Sequence, residues 1–286
     1  MTIHDLLIEP FEKYAFMRRA LAVCVLLALS GTPLGVFMSL RRLALVGDSM
    51  SHAILPGVSM AFLVYGIAVW PMTIGGLIAG MAVALAALLL TRYTQLKEDS
   101  SFTVVYLLSI ASGVVLVSLK GTGLDLMHLL FGNILAIDNN ALYLVTGICC
   151  VTLLALAAFY RGMVITGFDP DFMKAATKGR DVTDIVFFIL LVLNLVAAFQ
   201  ALGTLMALGL ILLPAIAARF WTQSTDTSIP CSIALALLAS FAGLLFSYHA
   251  NIPSGPAVVL AAGIVCLVSI GVGRYGSLYR YVLSKS

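Results

Sequence analysis

Met72-Thr-Ile-Gly-Gly-Leu-Ile-Ala-Gly-Met-Ala-Val-Ala-Leu-Ala-Ala-Leu-Leu-Leu-Thr91 contains no charged residue. A hydrocarbon layer of about 30 Å is crossed by about 20 apolar residues of α-helix. Inside lipid every backbone N–H and C=O needs a partner within the protein, and a helix supplies all of them along one segment. The run therefore predicts a membrane-spanning helix. Working outward, the same reading applies near 20–40, 46–66, 101–119, 141–160, 184–200, 203–219, 231–248 and 256–273. A tight turn around Ala201–Gly203 separates two of these runs. The stretch 124–137 is also apolar but short, which suits a re-entrant or interfacial segment. The expected fold is an all-α polytopic bundle of eight or nine spans, forming one transmembrane domain over residues 1–286.

Composition agrees. The chain is 62% hydrophobic and 10% charged, against about 25% charged in soluble domains. So few charges cannot cover a water-exposed surface. None of the five cysteines forms a C-x-x-C pair, so they read as small buried hydrophobes. Asp5, Glu9 and Glu12 precede the first apolar run, where a secretory signal would be basic. Residues 3–17 suit a short helix on the membrane surface. The P-loop pattern G-x-x-x-x-G-K-[ST] is absent, as are G-x-S-x-G and H-E-x-x-H. No basic stripe with interleaved aromatics exists, which argues against nucleic acid.

Orientation follows from the basic residues. With the 161–183 loop in the cytoplasm, twelve of the 16 Lys and Arg lie inside. Only Lys13, Arg18, Arg19 and Lys120 lie outside, a bias of the sign that the positive-inside rule requires. The loop carries Phe168-Asp-Pro-Asp-Phe-Met-Lys-Ala-Ala-Thr-Lys-Gly179. Asp169 can cap a helix, Pro170 fits its first position, and Asp171 suits the positive end of the dipole. Lys178 suits the other end and Gly179 can stop it. A short polar helix outside the membrane is expected.

The chemistry concentrates in Arg41-Arg-Leu-Ala-Leu-Val-Gly-Asp-Ser-Met-Ser-His-Ala-Ile-Leu-Pro-Gly57. Asp48 and His52 enter an apolar span, where an Asp costs about 2.5–3.5 kcal/mol at the helix centre. Four residues apart, they share one helix face. Counted from Arg42, His52 lies about 15 Å deep, near the bilayer midplane. Carboxylate oxygen with imidazole nitrogen suits zinc, manganese or iron. One chain supplies only this pair, whereas a two-fold dimer would supply four ligands. Three readings compete on the residues alone: a metal site, an Asp–His hydrogen bond that fixes packing, and a proton relay. Ser49 or Ser51 beside His52 also raises an intramembrane hydrolase, without the strained Gly-flanked nucleophile such an enzyme uses. Pro56 and Gly57 loosen the helix and can free carbonyls to line a cavity. His128 and His249, with Asp125 and Asp138, read as polar boundary residues or an external vestibule. Asn194 and Gln200 read as helix–helix hydrogen-bonding groups.

Gly47-Asp-Ser-Met-Ser-His-Ala-Ile-Leu-Pro-Gly57 resembles the signature of the zinc/manganese/iron ABC importer permease family. Leu129-Leu-Phe-Gly-Asn-Ile-Leu135, Phe168-Asp-Pro-Asp171, Leu212-Leu-Pro-Ala-Ile-Ala-Ala-Arg219 and Pro253-Ser-Gly-Pro256 look like that family in the same order. The resemblance covers about residues 11–275. It implies a homodimeric permease in the bacterial cytoplasmic membrane. The expected partners are a separate cytoplasmic ATPase and an extracytoplasmic metal-binding protein. It assigns Asp48 and His52 to the transported metal, with no permanently bound cofactor. It assigns the loop bearing Phe168, Asp169, Pro170, Asp171 and Gly179 to ATPase coupling. Asp171-Phe172-Met173-Lys174 departs from the usual acidic-residue-then-Ala pattern there. A proton-coupled secondary metal transporter is the alternative.

Overall fold

The computed structural model describes residues 8–66, 68–119, 139–168, 179–275 and 277. Among these, all regular structure is helical. The helices are α1 (Glu9–Lys13), α2 (Ala15–Leu40), α3 (Ala44–Ala53), α4 (Leu55–Tyr65), α5 (Val69–Tyr93) and α6 (Glu98–Leu119). They continue as α7 (Asn139–Phe168), α8 (Gly179–Leu202), α9 (Thr204–Ala218), α10 (Thr225–Ala250) and α11 (Ser254–Val272). Seven of them, α2, α5, α6, α7, α8, α10 and α11, are long and apolar enough to cross a membrane. The chain is a multi-pass helical bundle.

The other two expected spans are helical but differ in form. Residues 203–219 give the shorter α9, opened by Gly203 at φ +86°. Only glycine adopts that conformation without strain, which explains the tight turn. Residues 46–66 are two helices, α3 and α4, parted at Ile54. Pro56 causes the break. It has no N–H, and its ring crowds the carbonyl four residues back, that of His52. The His52 carbonyl accepts instead from the Ile54 N–H, and the next carbonyl, that of Ala53, accepts from Ser109 Oγ of α6 at 3.1 Å. On the far side of the break, α4 and α5 touch backbone to backbone. A Cβ placed on Gly57 would sit 2.0 Å from the Gly75 carbonyl oxygen, so both positions require glycine.

α2 is the hub, touching α7, α8, α9 and α10, and every residue from Ser30 to Ser39 is buried. Asn194 of α8 donates to Thr152 Oγ1 of α7 at 2.8 Å, and Gln200 donates to Thr73 Oγ1 of α5 at 3.2 Å. Both polar residues thus bond between helices, as expected. Of the 3–17 segment expected as one short helix, the described part holds only α1, Glu9–Lys13, before α2 starts at Ala15; Phe11 of α1 stacks on Phe241, and Tyr14, between the helices, packs on Tyr248.

Cross-helix contacts gather the charged helix ends at one side. Arg41 pairs with Asp184, Arg219 reaches Ser39, and Tyr160 donates to Asp226. The Tyr275 N–H donates to the Phe220 carbonyl at 2.9 Å. The ends of α2, α9 and α11 and the starts of α8 and α10 therefore share the side assigned to the cytoplasm by charge. α7 runs past Arg161 to Phe168, and α8 opens at Gly179.

Candidate metal site

α3 carries both candidate ligands. Leu45 and Asp48 are exposed on the outer face of α3, with His52 half-buried one turn further on, while Val46, Met50 and Ala53 fill the opposite side. The Asp48 side chain is 61% exposed and that of His52 20%. His52 Nε2 lies 3.9 Å from Asp48 Oδ1. That is too long for a hydrogen bond. It is within reach of one shared ion, because two ligand atoms about 2.1 Å from a metal are at most about 4.2 Å apart. His52 Nδ1 is buried with no hydrogen-bond partner.

The break at Ile54 gives the pair a second electrostatic asset. α3 ends one residue after His52, so the negative end of its dipole lies at the site. A cation is favoured there, as at the half-helix ends of other transporters. The sequence signalled loosening through Pro56 but not a separate half-helix.

The neighbouring serines are occupied otherwise. Ser49 Oγ donates to the Leu45 carbonyl and Ser51 Oγ to the Gly47 carbonyl, each at 3.0 Å. Both hydroxyls thus bond their own helix rather than His52. Among the described residues, no group of three or more His, Cys, Asp and Glu could hold a metal ion.

The remaining candidates separate. His249 Nδ1 lies 2.9 Å from the Leu245 carbonyl of its own helix, and its ring lines a cleft of about 680 Å³ with Tyr14, Tyr248 and Asn251. It lies in the last turn of α10. Asp125, His128 and Asp138 lie outside the described residues, as do Asp169, Pro170 and Asp171. Phe168 is the exposed last residue of α7, and Gly179 is the first of α8. Sequence reasoning missed the Arg41–Asp184 pair, whose partners are 143 residues apart.

The family profile described as the ABC 3 transport family matches residues 13–273. A manganese transport system membrane protein, MntC of Halalkalibacterium halodurans, is 32% identical over 97% of this chain and 94% of its own length. The manganese import system permease protein ScaB of Streptococcus gordonii is 30% identical over 92% of this chain and 93% of its own. The solved structure of PsaBC from Streptococcus pneumoniae in complex with Fab superposes with a TM-score of 0.84 at 28% identity. That match covers 98% of this chain and 99% of the other.

Proposed function

The chain belongs to the ABC 3 transport family, and from that membership we propose how it handles its cargo: Asp48 and His52 of two copies receive a divalent transition metal on its way into the cell. It is the membrane-spanning permease of a metal importer in the bacterial cytoplasmic membrane. Manganese is the first cargo to test, because the relatives named above carry manganese in their descriptions; zinc and iron share the ligand chemistry.

One observation carries the reading. Asp48 presents a carboxylate on the outer face of the protomer, about 6 Å along α3 from its first residue Ala44. Lipid is a poor neighbour for that group. A second copy of the chain against the Leu45–Asp48–His52 stripe would cover it and double the ligands to two Asp and two His. The shared site would hold a cation through a few oxygen and nitrogen ligands and release it again.

No P-loop occurs in the chain, so ATP hydrolysis belongs to a separate cytoplasmic ABC ATPase. Phe168, Asp169, Pro170, Asp171 and Gly179 bracket its docking loop. An extracytoplasmic metal-binding protein delivers the ion at the opposite face. Reconstituted permease and ATPase, supplied with the binding protein, should take up manganese only with ATP. Uptake that follows a proton gradient without ATP favours the secondary-transporter alternative and sinks this reading. A Leu45→Cys variant in a cysteine-free background should cross-link to a dimer across the stripe. Absence of that cross-link, with the variant active, removes the two-copy site.

A further inference from the structure

Building on that reading, we propose that the Arg41–Asp184 ion pair is the rigid link that carries movement from the start of α8 to the metal helix α3. Arg41 Nη1 donates to Asp184 Oδ1 at 2.8 Å, and the side chains are only 8% and 15% exposed. The Arg41 guanidinium also lies 4.5 Å from the centroid of the Phe187 ring. Asp184 and Phe187 are three residues apart on α8, so one helix face grips Arg41 twice. Phe187 is fully buried and meets Phe188 edge-on, and Phe188 packs on Phe102 of α6. The grip is anchored in the core.

Arg41 stands where α2 becomes α3. It caps α2, and α3 begins at Ala44. Between them Arg42 takes φ +60°, the left-handed region. The Leu43 N–H donates to the Met38 carbonyl and the Arg42 N–H to the Ser39 carbonyl. These are the two bonds of a Schellman turn. Such a turn has little slack, so displacing Arg41 displaces the first residue of the metal helix. At the other partner, Asp184 lies in the second turn of α8, which opens at Gly179. A third helix braces the same corner, as Arg219 donates to Ser39 Oγ at 3.1 Å.

Stability does not demand this pair. Desolvating two charges offsets much of their attraction, and replacing both with apolar groups is often neutral. What the charges add is a fixed distance and direction between two helices. That property serves transmission.

The test reads manganese taken up per ATP hydrolysed in proteoliposomes holding the permease and ATPase, with the binding protein supplied outside. Asp184→Asn keeps the side-chain shape and removes the charge. Uptake per ATP should fall about tenfold, within the range by which residues of one network couple, while ATP hydrolysis continues. The exchanged variant Arg41→Asp/Asp184→Arg should recover part of the loss. The paired apolar variant Arg41→Met/Asp184→Leu retains folding without the link and should show the same fall, which keeps the test open if Asp184→Asn is poorly made. Wild-type uptake per ATP in either neutralised variant overturns the proposal. If the unmutated complex takes up no manganese with ATP, the proposed function fails instead.

Discussion

His52 Nε2 and Asp48 Oδ1 face each other across one turn of α3 at 3.9 Å, without a hydrogen bond between them. The cargo and packing readings of the pair make different forecasts. Asp48→Ala and His52→Ala are each expected to abolish uptake while membrane insertion and yield stay normal. The loss should exceed the roughly 10–100-fold that changes behind a metal's direct ligands bring. His52→Ala should hurt zinc more than manganese, since manganese leans further toward oxygen ligands. Radioactive metal uptake alongside thermal melting decides it. Near-normal uptake in both variants ends the metal reading, and lowered melting as the main effect restores the packing one.

Ser109 is expected to matter out of proportion to its place in an apolar helix. Its hydroxyl serves the Ala53 carbonyl at the break. Ser109→Ala leaves that carbonyl with one donor fewer and should cost about 1 kcal/mol. Ser109→Thr keeps the donor and should be close to wild type. Equal melting temperatures for the Ala and Thr variants would refute the brace.

Gly57→Ala should be damaging, because its Cβ would lie 2.0 Å from the Gly75 carbonyl oxygen. Forcing α4 from α5 should cost about 1–3 kcal/mol. Gly147→Ala is the control. Nothing lies within 4 Å of its added Cβ, and a helical Gly→Ala change there gains about 0.5–1 kcal/mol. Detergent melting curves for the two variants should shift in opposite directions.

The topology makes its own forecast. The 169–178 loop and Ser286 should be cytoplasmic, and residues 251–253 external. A fluorescent protein fused at Ser286 should be bright, and a cysteine placed at Asn251 should react with an impermeant reagent from outside. A dark, well-expressed fusion would invert the arrangement.

Much of this was legible in the sequence, for a local reason. Apolar runs and an i, i+4 pair are written within a few residues, so the spans and the Asp48–His52 face can be read directly. What escaped depends on distant partners. Pro56 announces strain at its own position, but Ser109, which supports the broken helix, is 56 residues away. Arg41 and Asp184 look like ordinary boundary charges until the fold brings them together. Arg161 marks where α7 leaves the apolar run, yet the helix continues through Phe168. One charge does not end a helix whose next residues, Met163, Val164 and Ile165, are apolar.

That continuation leaves α7 longer than the membrane is thick. Its 30 residues measure about 45 Å at 1.5 Å per residue, while the hydrocarbon layer is about 30 Å. The last turns are held by the bundle: Met163 is fully buried, Gly162 faces Thr183 of α8, and Gly167 faces Leu40 of α2. A helix that overruns the layer takes up the mismatch by tilting. Gripped by its neighbours at that end, α7 should tilt together with them when bilayer thickness changes, rather than slide past them.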